Sequence, residues 1–228
     1  MLTLKAANAC FPSHVWEFEL EHATAMQQGL SALVRRTLVA DNLRAGGHAS
    51  RLLQTGETLH RDPEATPLLD AARTAAAHVA RCLSLTCELG VTSMWGNVYG
   101  AGALIAYHTH PNNYLTGVYY VEAEEGAGDL VFYDPRPQAF VIAPEPTQYN
   151  VLNAGRFFVT PSPGKLVLFP AWLPHSSRPN ESGAERVSVS FNLALCGSYG
   201  VSKARTQGLP ILDGTGDEWA ARANVEVG

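Results

Sequence analysis

From residue 90 onward the chain runs in short stretches of Val, Ile, Tyr, Phe and Thr separated by Gly, Pro and Asp. That texture belongs to an antiparallel β domain. It predicts strands at 91–99, 103–108, 114–122, 129–134, 156–160, 165–170 and 186–195, with turns at 124–128, 161–165 and 179–185. Each such strand has an apolar face that must be covered by a second sheet or a helix, so the run of strands demands a sandwich or barrel.

Ahead of the strands lie helical signals. Met26, Leu30, Leu33, Val34 and Leu38 recur at helical spacing and predict an amphipathic helix over about 22–40. A Gly-rich break at 44–50 follows, and then a second helix that Asp62 can cap with Pro63 in its first turn. Its expected core stripe is Leu69, Ala72, Ala76, Val79 and Leu83. Helices first and strands afterwards read as one α+β unit, with helices on one outer face and a pocket between the sheets. A single domain over 1–228 is expected: an N-terminal strand and supporting helices at 1–90, a β core at 91–196 and a polar, Gly-rich tail at 197–228. Trp219 suggests that part of this tail packs back.

Composition removes several classes of function. The 16 Lys and Arg form no dense patch and the net charge is -5, which makes nucleic acid a poor partner. No apolar run approaches the roughly 20 residues of a membrane span, and the N-terminus breaks at Pro12 unlike a secretory signal. The chain reads as cytosolic, and its aromatic-rich strands leave a homodimer open. Cys10, Cys82, Cys87 and Cys196 match neither a zinc knuckle nor a CxxC pair; Cys82 and Cys87, near the end of one helix, read as small, partly buried hydrophobes.

The chemistry gathers at "YHTHPNN", residues 107–113. On an extended strand His108 and His110 face the same way. Two imidazoles buried together need a partner, and a shared metal supplies one. The other histidine of the β region is His175, in "FPAWLPHSSRPN", where a barrel rim could bring it opposite the pair. Three ligands on one face would leave positions open for reactants, as a catalytic site requires. In "RVSVSFNLAL", Arg186, Ser188, Ser190 and Asn192 alternate with Val187, Val189, Phe191 and Leu193. Such a polar face usually meets solvent; turned inward, Arg186 becomes a fork for a carboxylate, assisted by Ser188.

These motifs resemble the Fe(II)- and 2-oxoglutarate-dependent oxygenases of double-stranded β-helix (jelly-roll, cupin-like) fold, and in particular a bacterial branch. The resemblance rests on "WGN" at 95–97, "HTHP" at 108–111, "GVYYV" at 117–121, "FYDPR" at 132–136, "LFPAWLPH" at 168–175 and Arg186-x-Ser188. It implies that His108 and His175 ligate iron and that Arg186 and Ser188 hold the distal carboxylate of 2-oxoglutarate. His110 stands where most of the superfamily has Asp or Glu, and three imidazoles leave the site one charge more positive, which dianionic 2-oxoglutarate can offset. Asn97 and Tyr99 could reach the 2-oxoglutarate, while Trp95 reads as core. Asp129 and Asp134 read as turn residues, Arg136 and Arg178 as loop arginines.

The implied reaction hydroxylates an unactivated C–H bond of a small molecule, consuming O2 and converting 2-oxoglutarate to succinate. Two other readings stand beside it. A cupin-type three-histidine dioxygenase or isomerase fits "GALIAYHTH", but its expected Glu is absent after His110 and Arg186-x-Ser188 has no use there. A non-catalytic sandwich with structural zinc would want four closed ligands. The loops at 44–62 and 135–150 carry no code for the substrate.

Overall fold

The structure is a computed structural model describing residues 2–6, 10–21, 23–45, 51–142, 144–150 and 152–196. The expected tail with Trp219, and most of the break at 44–50, lie outside the described residues. The chain divides into a unit of residues 14–197 and a second made of 1–13 and 198–228. In the second, the described residues 2–6 and 10–13 form no helix or strand.

Both helical signals fold as helices. The first, α1, spans Thr24–Ala45, and the second, α2, spans Thr66–Cys82 after a short 3-10 turn at Pro63–Ala65. Asp62 caps that turn, its carboxylate accepting from the Glu64 N–H. Leu30, Leu33, Val34 and Leu38 of α1 are buried as predicted, with Met26 packed against them. The α2 stripe is rotated slightly from the expected one. Leu68, Ala72, Ala75, Ala76 and Val79 are buried, whereas Leu69 and Leu83 pack at its margin, because the alanine face lets the helix lie close to the sheet. None of the described helices is long and apolar enough to cross a membrane.

The helices cover a six-stranded sheet of order β1-β7-β4-β9-β3-β2, built from β1 (Trp16–Glu19), β2 (Leu52–Gln54), β3 (Leu89–Tyr99), β4 (Leu115–Glu122), β7 (Lys165–Pro170) and β9 (Arg186–Leu195). A smaller sheet, β6-β5-β8, comprises β6 (Arg156–Val159), β5 (Leu130–Tyr133) and β8 (His175–Ser177). This is the double-stranded β-helix of the expected α+β class.

Strand β9 explains the layering. Val187, Val189, Phe191 and Leu193 join the core under α1 and α2, so period-two alternation turns Arg186, Ser188, Ser190 and Asn192 to the space between the sheets. A second apolar cluster of Tyr120, Leu130, Phe132, Val167, Phe169 and Leu173 fills part of that space. Burying a Leu, Val or Phe side chain stabilises the fold by roughly 1.5–3 kcal/mol, so these two clusters dominate its stability. At Gly96, a Cβ would meet the Val34 side chain at 2.5 Å, which shows how closely α1 approaches β3.

The predicted strand at 103–108 does not form. Residues 103–107 have no strand geometry and His108 makes only an isolated bridge to His175. The segment nevertheless runs beside β8, through Asn180 N to Ala103 O, Ser177 N to Ile105 O, and a reciprocal pair between His108 and His175, all 2.9–3.1 Å. These pairings do not keep one register, so a continuous ladder fails while the position of the histidines is fixed.

Candidate metal centre

Three imidazoles meet between the sheets. One ring nitrogen from each of His108, His110 and His175 lies within 4.8 Å of the others. The pair on "YHTH" comes together by a different route from the expected strand: His108 is bridged to His175, and His110 N donates to Ala171 O at 2.8 Å. Ring centroids stand 4.9 Å apart for His108 and His110, 4.2 Å for His108 and His175, and 5.2 Å for His110 and His175.

Backbone carbonyls set the ring orientation. His108 Nδ1 is 2.8 Å from Ala106 O, and His175 Nδ1 is 2.9 Å from Leu173 O. A carbonyl only accepts, so each Nδ1 carries the hydrogen and each Nε2 keeps its lone pair for a metal. Phe169 meets the His175 ring edge-on at 4.7 Å, and Trp95 lies tilted beside His110 at 5.9 Å. Trp95, expected in the core, instead lines the cavity. Burial, with the His108 imidazole adding to it, lowers His110 to about 4. Burial likewise lowers His175 to about 3, against the Leu173 hydrogen bond and with the two neighbouring imidazoles. Both are therefore neutral donors at pH 7.

The cavity continues to Arg186, which is buried. Its Nη1 donates to Ala127 O at 2.7 Å and Gly128 O at 2.6 Å, and Nη2 reaches Ser177 Oγ at 3.3 Å. Gly128 turns its carbonyl inward from a φ of +88°, where a Cβ would strike the Arg178 carbonyl. The guanidinium lies 3.8 Å over the Tyr99 ring. Its Nε is buried without a partner, and no carboxylate pairs with it among the described residues. A buried cation left this way is costly, and an anion brought to its free edge would relieve the cost.

Asn97 and Ser188 are tied to each other. Asn97 Oδ1 accepts from Gln54 Nε2 at 2.8 Å, while Asn97 Nδ2 approaches Ser190 Oγ at 3.1 Å and Ser188 Oγ at 3.5 Å. Tyr120 was not among the expected site residues; its phenol lines the cavity, and burial pushes it up. Its cross-strand partner is Ser188, and that pairing is the signal that points to it.

The remaining sequence candidates stay outside the cluster. Asp134 accepts from Arg136, and Asp129 accepts from Thr160 and approaches Arg178 at 3.8 Å. Of the two cysteines expected to be partly buried, Cys87 is so, whereas Cys82, the last residue of α2, is exposed.

The residues present fit both expected groups. Three imidazole nitrogen donors on one side suit a first-row metal that keeps positions free for reactants, and an uncompensated guanidinium nearby suits a dianionic acid. Residues 93–192 match the family model described as "Putative 2OG-Fe(II) oxygenase". Over these residues, less than half of the chain, it is similar to the Fe(II)- and 2-oxoglutarate-dependent oxygenases, enzymes that use iron with 2-oxoglutarate and O2 as co-substrates.

Solved structures share the fold. A prolyl-4-hydroxylase from Pseudomonas putida is 16% identical with a TM-score of 0.56, covering 81% of this chain and 94% of that one. The viral collagen prolyl hydroxylase of Paramecium Bursaria Chlorella virus-1 is 12% identical with a TM-score of 0.54, over 82% and 98% of the two chains. The epimerase SnoN of nogalamycin biosynthesis is 15% identical with a TM-score of 0.55, over 80% and 76%. Comparison with curated protein sequences gives no match.

Proposed function

We propose that the protein hydroxylates an unactivated C–H bond of a small molecule, converting 2-oxoglutarate and O2 to succinate and CO2 as it does so. The observation that carries this reading is the convergence of three imidazoles in one cavity with a guanidinium that has no counter-charge. His108, His110 and His175 would hold iron(II), and Arg186 with Ser188 would hold the distal carboxylate. Bound there, iron(II) would activate O2, the oxidant, and 2-oxoglutarate would give it two electrons as it loses CO2, the substrate C–H bond giving the other two.

The chain's own residues prepare that chemistry. Ala106 O and Leu173 O aim the imidazole lone pairs. Ala127 O and Gly128 O occupy Nη1 of Arg186, leaving the edge formed by Nε and Nη2 for a bidentate carboxylate. Tyr99 supports the guanidinium from its face, Asn97 fixes the Ser188 and Ser190 hydroxyls, and Tyr120 stays neutral and able to donate. Val118, Leu130 and Phe169 line the walls and exclude water.

The test is an anaerobic titration of metal-free protein with Fe(II) and then 2-oxoglutarate, following the visible iron-to-keto-acid charge-transfer band. A band in the native protein that is lost in Arg186→Ala supports the assignment. Iron binding without a band overturns it.

A further inference from the structure

The polar stripe of β9 runs along the cavity that holds the imidazoles, and its two ends differ. In the register of β3 with β9, Tyr99 faces Arg186, Asn97 faces Ser188 and Trp95 faces Ser190. The first two pairs are buried. Trp95 and Ser190 are only half-buried, as is Val118, which faces Ser190 from β4. All of these residues line the cavity, so it is sealed around Arg186 and opens toward solvent beside Trp95.

Reach decides what each end can hold. Four residues of extended strand carry the chain from Arg186 to Ser190, roughly 13 Å. A five-carbon diacid anchored at Arg186 spans about half of that length, its bonds being about 1.5 Å each. Trp95 lies beside His110, with ring centroids 5.9 Å apart. A molecule that reacts at the imidazoles while the diacid is bound must therefore approach over Trp95. That end presents an indole and a hydroxyl. Arg186, at the other end, is the one lining side chain among the described residues with a fixed charge. The two charges of the diacid match those of a divalent ion, so the filled site asks for no charged substrate.

Hydrogen bonds give this end a direction. Gln54 Nε2 donates to Asn97 Oδ1 at 2.8 Å, so Asn97 Nδ2 is the atom that donates to Ser190 Oγ, at 3.1 Å. The Ser190 oxygen is thereby an acceptor, and its own hydrogen is left to donate to a molecule in the cavity. We infer that Trp95 and Ser190 form the substrate end of the cavity, and that the substrate is an uncharged molecule whose flat apolar face lies on the Trp95 indole while one of its oxygens accepts from the Ser190 hydroxyl. The inference rests on the oxygenase reading above, which puts the 2-oxo acid at Arg186. A charged substrate group would lose its water here without meeting a counter-charge, so the site selects against it.

The probes are 7-methoxycoumarin, a flat neutral lactone, and its anionic counterpart 7-methoxycoumarin-4-acetate, followed by coumarin fluorescence on protein loaded with Zn(II) and saturating 2-oxoglutarate. The native protein should bind the lactone about tenfold more tightly than the acetate, and added 2-oxoglutarate should not displace it. Trp95→Ala should weaken the lactone about tenfold and Trp95→Phe, which keeps a smaller ring, about threefold. Ser190→Ala should weaken it about fivefold, the value of one neutral hydrogen bond. Trp95→Phe and Ser190→Ala decide the matter where Trp95→Ala fails to fold. With Mn(II) in place of Zn(II), the coumarin proton resonances should broaden, reporting that the ring lies beside the imidazoles. No binding of the lactone by the native protein, equal binding of the acetate, displacement by 2-oxoglutarate, an affinity that Trp95→Phe or Ser190→Ala leaves unmoved, or resonances that stay sharp would each overturn the inference. The fluorescence titration is made on metal-free protein as well, so the two readings fail separately. A missing charge-transfer band with the dependence on Trp95 and Ser190 intact removes the oxygenase reading, and an intact band without that dependence removes this one.

Discussion

His110 Nε2 lies 3.3 Å from His175 Nε2, with the two rings 9° from parallel. The Leu173 carbonyl forces the hydrogen of His175 onto Nδ1, so the His175 Nε2 lone pair faces His110. Without metal, an Nε2–H on His110 is the donor that satisfies it. Burial lowers both groups, and protonating both rings would in addition place two cations against each other.

That relationship gives a pH prediction. Both histidines titrate lower in the folded protein, at about 4 and about 3, than their ordinary value of 6.5. Below pH 6.5 the unfolded chain therefore binds more protons than the folded one, and stability falls as pH falls. The contribution is complete above pH 6.5 and is lost progressively toward pH 4. Urea unfolding of metal-free protein at pH 7, 6 and 5 should show a declining midpoint. His175→Leu should flatten the decline over that window; an unchanged slope in the variant would refute the assignment.

A second prediction concerns the charge of the site. Three imidazoles leave a divalent ion uncompensated, whereas His110→Asp would cancel one unit. Anaerobic titration of His110→Asp should show retained Fe(II) binding with 2-oxoglutarate affinity reduced about tenfold, equivalent to about 1.4 kcal/mol. His110→Ala removes a donor, and its Fe(II) affinity should fall at least about 100-fold, since even outer contacts to a metal site cost 10–100-fold. Unchanged iron affinity in His110→Ala would place His110 outside the ligand set.

Arg186 has two separable duties. Its Nη1 satisfies two backbone carbonyls, while its Nε has no partner and the residue lines the cavity. Arg186→Ala should lower stability by about 1–3 kcal/mol for each buried carbonyl left without its donor. It should also abolish the charge-transfer band. Tyr120→Phe keeps the ring and removes only the hydroxyl, so thermal unfolding should stay close to native while 2-oxoglutarate affinity falls about tenfold, the value of one hydrogen bond to a charged group. An unaltered affinity would show that the phenol faces the cavity without touching the co-substrate.

What the sequence disclosed depends on the scale of each signal. Strand β9 spans ten residues and alternates throughout, so both its bounds and its two faces are readable. Which face turns inward is not, because a polar stripe serves solvent and an active site equally well; the helices decide it by covering Val187, Val189, Phe191 and Leu193. Strands β2 and β8 have three residues each, too few to show a period. The segment 103–108 has strand composition, but its irregular pairing with β8 breaks the ladder. Tyr120 sits inside "GVYYV", where its hydroxyl is hidden within an apolar run. Its place beside Ser188 depends on the register of β4 with β9, a long-range fact. Residues of the 135–150 loop line a surface groove with Tyr107, Tyr133 and Pro174, and that is equally invisible, since tyrosines and prolines scattered between residues 107 and 174 come together only in the fold.

The approach of α1 to β3 supplies the last prediction. Gly96 shares β3 with Asn97 and lies under Val34, so the spacing of helix and sheet is set one residue from the cavity. A methyl group at Gly96 would meet Val34 Cγ2 at 2.5 Å and Cγ1 at 2.7 Å. The buried interface cannot yield without moving α1 or β3, and overpacking of this kind costs about 1–3 kcal/mol. Gly96→Ala should therefore lower the urea midpoint by a corresponding amount. If the clash is the cause, Val34→Ala, itself destabilising through lost packing, should cost less in the Gly96→Ala background than in the native one. The two substitutions would then show a coupling of about 0.5–3 kcal/mol, within the range for side chains in contact. Simple additivity would mean that the sheet absorbs the extra methyl by shifting Asn97, and the shift would be read as weaker 2-oxoglutarate binding in Gly96→Ala.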